Sequence, residues 1–126
     1  MNDRKISWAG SSYEDLKEFP ADAMRDAGFQ LRRVQHDKEP DDWKPMPTVG
    51  PGVREIRVSA ESGAYRVMYV VKIMELVHVL HCFHKTTQQT SQRDIEKGRT
   101  GYREVEAALQ AARKIKRTTM GRRKKE

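Results

Sequence analysis

Three cationic side chains stand in or beside apolar, strand-like runs of the 126-residue sequence. They are Arg57 in VREIRV (53–58), Arg66 in AYRVMYVV (64–71) and Lys85, two residues after LVHVLHCF (76–83). A charge in a half-buried strand is costly unless it is paired or borders a concavity filled with solvent. Arg offers a fork of donors and Lys a compact charge, and together these suit the oxygens of a phosphodiester. The three runs therefore predict a phosphate site near one end of a small sheet.

One carboxylate belongs to the same pattern. Because strand side chains alternate, Glu55 and Arg57 share a face of the first run. Glu55 either neutralises Arg57 as a structural partner or takes part in chemistry at the predicted site. In the last run, alternation puts His81 and Lys85 on one side together with Val79 and Phe83. The sequence alone does not say which faces of the three strands coincide.

The histidines of the last run, with HKTTQQT beyond it, are candidates for proton transfer or metal binding. On a strand, the spacing of His78, His81 and His84 sends His81 to the face opposite the other two. With Cys82 as the one cysteine, this spacing argues against a metal site, and no metal or other cofactor is expected. His84 or His81 could carry a proton near neutral pH, or each could be a hydrogen-bonded structural residue.

The elements that must position these residues follow the order β-α-α-β-β-β-α. A short strand at Ile6 and Trp8 precedes a short helix whose apolar side chains are Leu16 and Phe19. A second helix fades near His36, and its apolar stripe is predicted from helical spacing to be Met24, Ala27, Leu31 and Val34. Residues 37–52 hold four Pro and two Gly, which predicts that this segment has no regular secondary structure. The side chain of Trp43 is expected to anchor the segment to the domain.

The second half of the chain predicts an antiparallel meander followed by a helix. The connections SAESG and KIME have lengths that fit hairpins between the three runs. From Ser91 onward, one side of a helix is formed by Ile95, Tyr102, Val105 and Leu109. Gly98 and Gly101 should weaken that helix in its middle, at about 1 kcal/mol each relative to Ala. The fold class is therefore α+β, with one small twisted antiparallel sheet.

Charge divides the chain into a neutral domain and a basic tail. Residues 113–126 hold eight basic residues and one acid, so they carry the whole net charge of +7. We expect one domain over 1–112 and a disordered tail over 113–126, which either solvates the protein or meets a polyanionic partner. There is no apolar leader and no run near the roughly 18 apolar residues of a membrane span, so a cytoplasmic protein without a membrane partner is expected.

Three stretches carry a resemblance to a known family. GVREIRV, SGAYRVMYVV and VHVLHCFHKTTQQTSQRDIEKG resemble the toxin of RelE/HigB-type (type II) toxin–antitoxin modules, in the phage-derived Gp49-like branch. The likeness covers about residues 4–105 and leaves the tail outside it. It implies a small twisted sheet with two N-terminal helices on one side and a C-terminal helix. It also implies an endoribonuclease that cuts mRNA, commonly on the ribosome. The implied partner is an antitoxin with a helix-turn-helix domain, which silences the toxin and could bring it to operator DNA.

The resemblance places the family's active-site positions on Glu55, Arg57, Arg66 and Lys85. The implied reaction needs no metal, because the ribose 2′-OH attacks the adjacent phosphate while the protein aligns the strand and stabilises charge. Arg57 and Arg66 would bind the phosphate and Lys85 would stabilise the transition state, whereas Glu55 or His84 would move a proton. The chain departs from some relatives in having no Tyr between positions 69 and 102, and Glu55 stands where others carry Lys.

Two other functions fit the same residues. The first is a non-catalytic module whose sheet and tail bind RNA or DNA. The second is an interaction protein from a phage or mobile element that shares the fold and acts only through a partner. Binding that depends on salt and yields no product would favour the first of these.

Overall fold

The computed structural model of the chain describes residues 3–72 and 76–125. Its elements in chain order are β1 (Ile6–Trp8), α1 (Ser12–Lys17), α2 (Ala21–Gln35), β2 (Trp43–Pro45), β3 (Arg54–Ala60), β4 (Gly63–Lys72), β5 (Leu76–Lys85) and α3 (Gln92–Lys125). The predicted α+β class and the order of elements are confirmed, with β2 as an addition. Most of the KIME connection, at residues 73–75, lies outside the described residues.

The strands form one sheet in the order β1-β5-β4-β3-β2. The predicted meander is confirmed, because β3 pairs with β4 and β4 with β5 in antiparallel fashion. β1 instead lies parallel to β5, with Ile6 opposite Val77 and Trp8 opposite Val79. A tight turn forces antiparallel pairing only between consecutive strands. β1 is separated from β5 by two helices and three strands, so the sequence pattern left its direction free.

Helices cover both faces of the sheet, and each face has its own apolar core. On the α1/α2 face, Leu16, Phe19, Ala27, Leu31 and Val34 are buried as predicted. Met24 was predicted in this stripe but is 37% exposed, while Ala23 is fully buried in its place. Ala23 lies in helix α2 one turn before the buried Ala27, so both side chains point to the inward side of the helix. The α3 face buries Val105 and Leu109 as predicted.

The proline-rich segment 37–52 contains a strand that the sequence did not predict. β2 pairs with β3 at the edge of the sheet, so that Lys44 lies opposite Glu55. An edge strand tolerates Pro45, since one side of its backbone needs no partner strand. Trp43 does anchor the segment, because its ring lies 3.9 Å from the Arg54 guanidinium carbon. A lysine is thereby brought beside the predicted site.

A β-bulge in β5 changes which side chains share a face. Met68 of β4 lies opposite His81, whereas the next residue, Tyr69, lies opposite Val79. Leu80 is therefore an extra residue on β5, and such an insertion resets the alternation of side chains. Val79 accordingly packs in the α1/α2 core and Leu80 in the α3 core.

The predicted distribution of the histidines is wrong for this reason. His78 lies opposite Val70, a residue of the α3 core, and His81 contacts Asp94 of α3. His84 instead stacks on Tyr65, which belongs to the α1/α2 core. His78 and His81 thus share the α3 face, and His84 is the one on the opposite side. The grouping of Val79 with His81 fails through the same bulge.

The glycines of α3 allow the helix to lie close to the sheet. A Cβ at Gly101 would lie 2.7 Å from the Leu80 carbonyl oxygen, and a Cβ at Gly98 would lie 2.6 Å from Met68 Sδ. Backbone cannot move aside as a flexible side chain can, so position 101 admits no larger residue in this packing. The sequence predicted that Gly98 and Gly101 weaken α3 in its middle. In the structure these two glycines are where the helix packs closely against Met68 and Leu80 of the sheet.

We expect opposite effects from two glycine-to-alanine changes. Gly101→Ala should lower the free energy of unfolding by about 1–3 kcal/mol, because the added methyl overpacks the interface with Leu80. Gly28→Ala is the matched control, since Gly28 lies in helix α2 with nothing within 4 Å of an added Cβ. It should stabilise by about 0.5–1 kcal/mol. Urea unfolding of both variants checks this, and two changes of the same sign would contradict it.

α3 is longer than the sequence indicated. It continues to Lys125 through the basic segment, where a disordered tail was expected. Leu109 is buried, whereas residues 110–118 are all exposed, so the helix leaves the sheet after about half of its length. None of the described helices is both long enough and apolar enough to cross a membrane.

Candidate active site

The register of the sheet brings the three predicted cations together on the α3 face. Arg57 and Arg66 are direct partners across β3 and β4. Side chains at such positions have Cβ atoms about 4.5–5.5 Å apart. Lys85 lies opposite Ala64, two residues from Arg66, so it is a diagonal neighbour on the same face. Arg57, Arg66 and Lys85 are called the cation cluster below.

Glu55 lies beneath the cation cluster and is completely buried. Its Oε1 is 3.6 Å from Arg66 Nε and 3.8 Å from Lys44 Nζ. Its Oε2 accepts a hydrogen bond of 2.9 Å from Thr90 Oγ1. The sequence offered Glu55 as a partner for Arg57, but its cationic neighbours are Arg66 and Lys44. The Glu55 carboxylate therefore lies in the interior, beneath the cation cluster, and does not face solvent.

The two arginines differ in how firmly they are held. The Arg66 side chain is 11% exposed, and its Nη1 donates 2.9 Å to the Tyr65 carbonyl oxygen. The Arg57 side chain is 40% exposed, and its nearest carboxylate oxygen, on Asp42, is 3.9 Å away. An exposed pair at that distance contributes little to stability. Arg57 is thus accessible to a ligand, while Arg66 is fixed beside it.

Burial and neighbouring positive charge lower the pKa values of Arg66 and Lys85. Burial is the main cause that lowers the pKa of Arg66; Glu55 opposes this, and Arg57 adds to it. The pKa of Lys85 is also lowered, first by partial desolvation and then by the charge of Arg66, with Glu55 again opposing. Arg57 therefore raises the cost of charging Arg66, and both arginines raise the cost of charging Lys85. An anion bound among them would relieve that repulsion.

The polar loop after β5 forms the rim of this site. Lys85 Nζ donates hydrogen bonds of 2.9 Å and 2.6 Å to the carbonyl oxygens of Thr87 and Gln88. The chain then returns across the sheet, where Thr90 contacts Glu55. β5 is apolar where it crosses the core. It becomes polar at Lys85 because its end and the following loop line the surface of the cation cluster.

Two contributors were not predicted from the sequence. Lys44 lies on β2, in a segment whose prolines gave no strand pattern, so only its pairing with β3 reveals its position. Thr90 stands in the polar stretch that follows β5, but nothing in the spacing distinguishes it from Thr86 or Thr87. Both act through Glu55, and both depend on long-range pairing of the chain.

The structure does not bring His84 to the cation cluster. Its ring stacks on Tyr65 with centroids 4.7 Å apart, on the α1/α2 face. Tyr65 Oη in turn shares a hydrogen bond of 2.9 Å with Ser62 Oγ. His84 and Lys85 are neighbours in the chain and therefore point to opposite faces. The structure thus places His84 on the face of the sheet opposite the cation cluster.

His81 has a structural environment on the α3 face. It is buried, its ring stacks on Phe83, and its Nε2 lies 2.7 Å from Asp94 Oδ1. Asp94 also accepts a hydrogen bond of 2.8 Å from Ser91 at the start of α3. The imidazole thus joins the end of β5 to the first turn of α3, beside the loop that carries Thr90.

Acidification should reduce the contribution of buried His81 to the stability of the fold. Burial lowers the pKa of His81 below its usual 6.5, and the hydrogen bond to Asp94 opposes the shift only in part. The unfolded chain then takes up a proton more readily than the folded chain, so the contribution of His81 is complete above about pH 6.5 and declines below it. His81→Gln should lose stability near neutral pH, and its deficit relative to the parent should shrink on acidification to about pH 5. Urea unfolding against pH measures the gap; a constant gap would contradict the assignment.

Metal-ligating groups do not converge anywhere in the described part of the chain. No set of three or more His, Cys, Asp and Glu side chains there could hold an ion. Cys82 is buried in the α1/α2 core, and burial raises the pKa of its thiol well above the usual range. A thiol in that state is a poor nucleophile and a poor ligand.

Fold and site together define a class of protein: a small α+β domain with a cationic surface at the end of a five-stranded sheet. The family model described as phage-derived protein Gp49-like matches residues 14–103. That range is most of the chain, and the chain belongs to this family. The resemblance noted in its sequence is thereby confirmed.

Among solved structures, the chain is similar to the Escherichia coli toxin RelE, determined in the free state as a mutant with two arginines replaced by alanine. The match has a TM-score of 0.55 at 13% sequence identity, and it covers 77% of this chain and 98% of the RelE chain. At that identity the likeness establishes a RelE-like fold and nothing further. No curated protein matches the chain.

Proposed function

We propose that this chain is the toxin of a type II toxin–antitoxin module and that it is an endoribonuclease acting on mRNA at the ribosome in the cytoplasm. The observation that carries the proposal is the direct opposition of Arg57 and Arg66 on one face of the sheet, with Lys85 diagonal to Arg66. Membership of the Gp49-like family and the RelE-like fold support it.

The proposed reaction is cleavage by internal attack. The ribose 2′-oxygen attacks the adjacent phosphorus, the bond to the 5′-oxygen breaks, and the products are a 2′,3′-cyclic phosphate and a 5′-hydroxyl. Negative charge develops on the phosphorane oxygens, and preorganised cations stabilise that charge. Arg57 and Arg66 hold the scissile phosphate, and their fixed charges supply this stabilisation without a metal ion.

Lys85 has a separate role at the leaving group. Its lowered pKa makes the ammonium a better proton donor, and we assign it to protonating the departing 5′-oxygen. Glu55 is buried and His84 faces the other side of the sheet, so we assign neither to the 2′-OH proton, which leaves to solvent. Glu55 is instead a positioning residue that holds Arg66 and Lys44 in place.

An antitoxin with a helix-turn-helix domain is the proposed partner, and operator DNA would be reached through it. Desolvation is the main cause that lowers the pKa values of Arg66 and Lys85, and the positive charges beside them lower both further. An acidic or amphipathic segment laid over that face would relieve the repulsion and close the site to RNA.

The product ends provide the direct test. Ribosome-bound mRNA incubated with the purified chain should yield fragments with 5′-hydroxyl and 2′,3′-cyclic phosphate ends. Kinase labelling of the new 5′ ends detects the first product without prior phosphatase treatment. Binding without any fragment, over the range in which the RNA is saturated, would favour the non-catalytic nucleic-acid-binding protein.

The pH dependence of the rate should report Lys85. A proton donor is active below its pKa, and the pKa of Lys85 lies below the usual 10.5. The rate should therefore decline with rising pH earlier than for an ordinary lysine. Lys85→Arg should be slower but should lack this alkaline decline, because a guanidinium stays charged. Rates corrected for uncatalysed hydrolysis decide the matter, and the same decline in both proteins would remove Lys85 from this role.

A further inference from the structure

The last part of α3 projects from the domain. Leu109 is the final buried residue of the helix up to residue 118, and the helix continues to Lys125. At 1.5 Å per residue this extension is about 24 Å long. The family match ends at residue 103, so the extension lies outside the matched part of the chain.

The extension carries positive charge without any acidic residue between Glu106 and Glu126. Its basic residues are Arg113, Lys114, Lys116, Arg117, Arg122, Arg123, Lys124 and Lys125. Three of the described ones border a single shallow depression together with Gln110: Arg113, Lys116 and Arg117. Like charges three and four residues apart repel one another along a helix, so this segment is in its least favourable state when no anion is near.

The chemistry of the extension selects among possible occupants. A helix that lies on a membrane or fills a protein groove needs an apolar face. Between residues 110 and 125 the large apolar residues are Ile115, which is 67% exposed, and Met120. Two such residues do not form a face. The closely spaced phosphates of a nucleic acid backbone complement the positive charge of the extension, and binding them requires no apolar face on the helix.

We propose that residues 113–125 are an arm that docks on the phosphate backbone of RNA, separately from the cation cluster. The choice of RNA over other polyanions rests on the proposed function, since RNA is the substrate class of the same chain. Two contact regions on one chain raise the effective concentration of the substrate at the second once the first is bound. The arm would thus hold RNA that the cluster then cleaves.

The test compares two variants of equal net charge. The first replaces Arg113, Lys114, Lys116 and Arg117 with Gln, which retains helix propensity. The control replaces four exposed cations outside the arm: Lys5, Arg25, Arg32 and Lys38. Binding is measured by fluorescence anisotropy with a labelled, unstructured 2′-O-methyl RNA of about 30 nucleotides, which lacks the attacking hydroxyl, in a salt series. Thermal unfolding of each variant establishes that its domain is folded.

Removing the arm's charges should weaken binding at low salt by tenfold or more and reduce the salt slope by about 0.7 for each phosphate that the arm no longer neutralises. The control should retain the parent's slope. Equal slopes in the two variants would overturn the proposal, as would equal binding of the parent to polyglutamate of matched charge or to anionic vesicles.

The arm and the nuclease activity can fail separately. At saturating ribosome-bound mRNA, where recruitment no longer limits the reaction, the cleavage rate should be the same in the arm variant and the parent. Loss of binding in the arm variant with an unchanged saturated rate supports the arm. If no RNA is cleaved by the parent while the arm still governs its salt slope, the nuclease proposal falls and the RNA arm stands.

Discussion

Arg57→Ala should slow the cleavage of ribosome-bound mRNA by roughly 10²-fold to 10³-fold. Removing one well-placed donor from a site that stabilises developing negative charge costs about 2.7–4 kcal/mol of barrier. Arg57 is the most exposed arginine of the cluster, with 40% of its side chain accessible, and its nearest carboxylate oxygen is 3.9 Å away. Little in the fold depends on it, so the loss should appear in the rate and not in the thermal midpoint.

Arg54→Ala is the matched control for this change. Arg54 is on the same strand, three residues earlier, and its side chain is 35% exposed. Its guanidinium lies over Trp43 and beside Glu39, and it lies opposite Tyr69, a residue of the α1/α2 core. Its loss should leave the cleavage rate within about twofold of the parent, because it stabilises no charge at the proposed phosphate. Equal rates for Arg57→Ala and the parent would remove Arg57 from the site.

The order of elements was predictable because local patterns encode it. Alternating apolar residues and hairpin-length connections define β3, β4 and β5, and helical spacing defines α2 and the packed part of α3. β2 was missed because three residues among prolines carry no period, and its formation depends on the edge of β3. The parallel direction of β1 is likewise decided by packing over the whole chain and not by any local turn.

The site was predictable in its residue types but not in its arrangement. Alternation within one strand shows that Glu55 and Arg57 share a face, yet only the register shows that Arg66 is opposite Arg57. The bulge at Leu80 changed the histidine faces, and an inserted residue leaves no mark in an apolar sequence. His84 was a candidate because of its chemistry, but alternation with Lys85 places it on the other face of the sheet.

Register also explains which partner Glu55 selects. Glu55 lies opposite Met68, and Arg66 is two residues from Met68 on the same face, so Glu55 and Arg66 are diagonal neighbours. Arg57 lies two residues after Glu55 on the same strand, and its side chain is accessible to solvent. The buried carboxylate therefore neutralises the less exposed arginine, and the accessible one keeps its charge available to a ligand.

Glu55→Leu should lower the free energy of unfolding by about 3–5 kcal/mol, because it leaves the nearly buried Arg66 without its closest carboxylate. Lys44 contributes less to the penalty, since its side chain is 36% exposed and water can solvate it. The double variant Glu55→Leu, Arg66→Met removes both charges and replaces them with apolar groups of similar length. It should recover much of the lost stability, as apolar replacements of buried ion pairs commonly do.

A double-mutant cycle in urea measures the coupling between the two residues. Arg66→Met alone should also destabilise, because it leaves a buried carboxylate with Thr90 and Lys44 as its remaining neighbours. The coupling energy should therefore be large, with the double variant more stable than the sum of the single changes predicts. The double variant should nevertheless cleave mRNA as poorly as Arg66→Met, since the phosphate contact is gone from both. Additive losses of stability in the cycle would mean that Glu55 does not hold Arg66, and the positioning role would have to be abandoned.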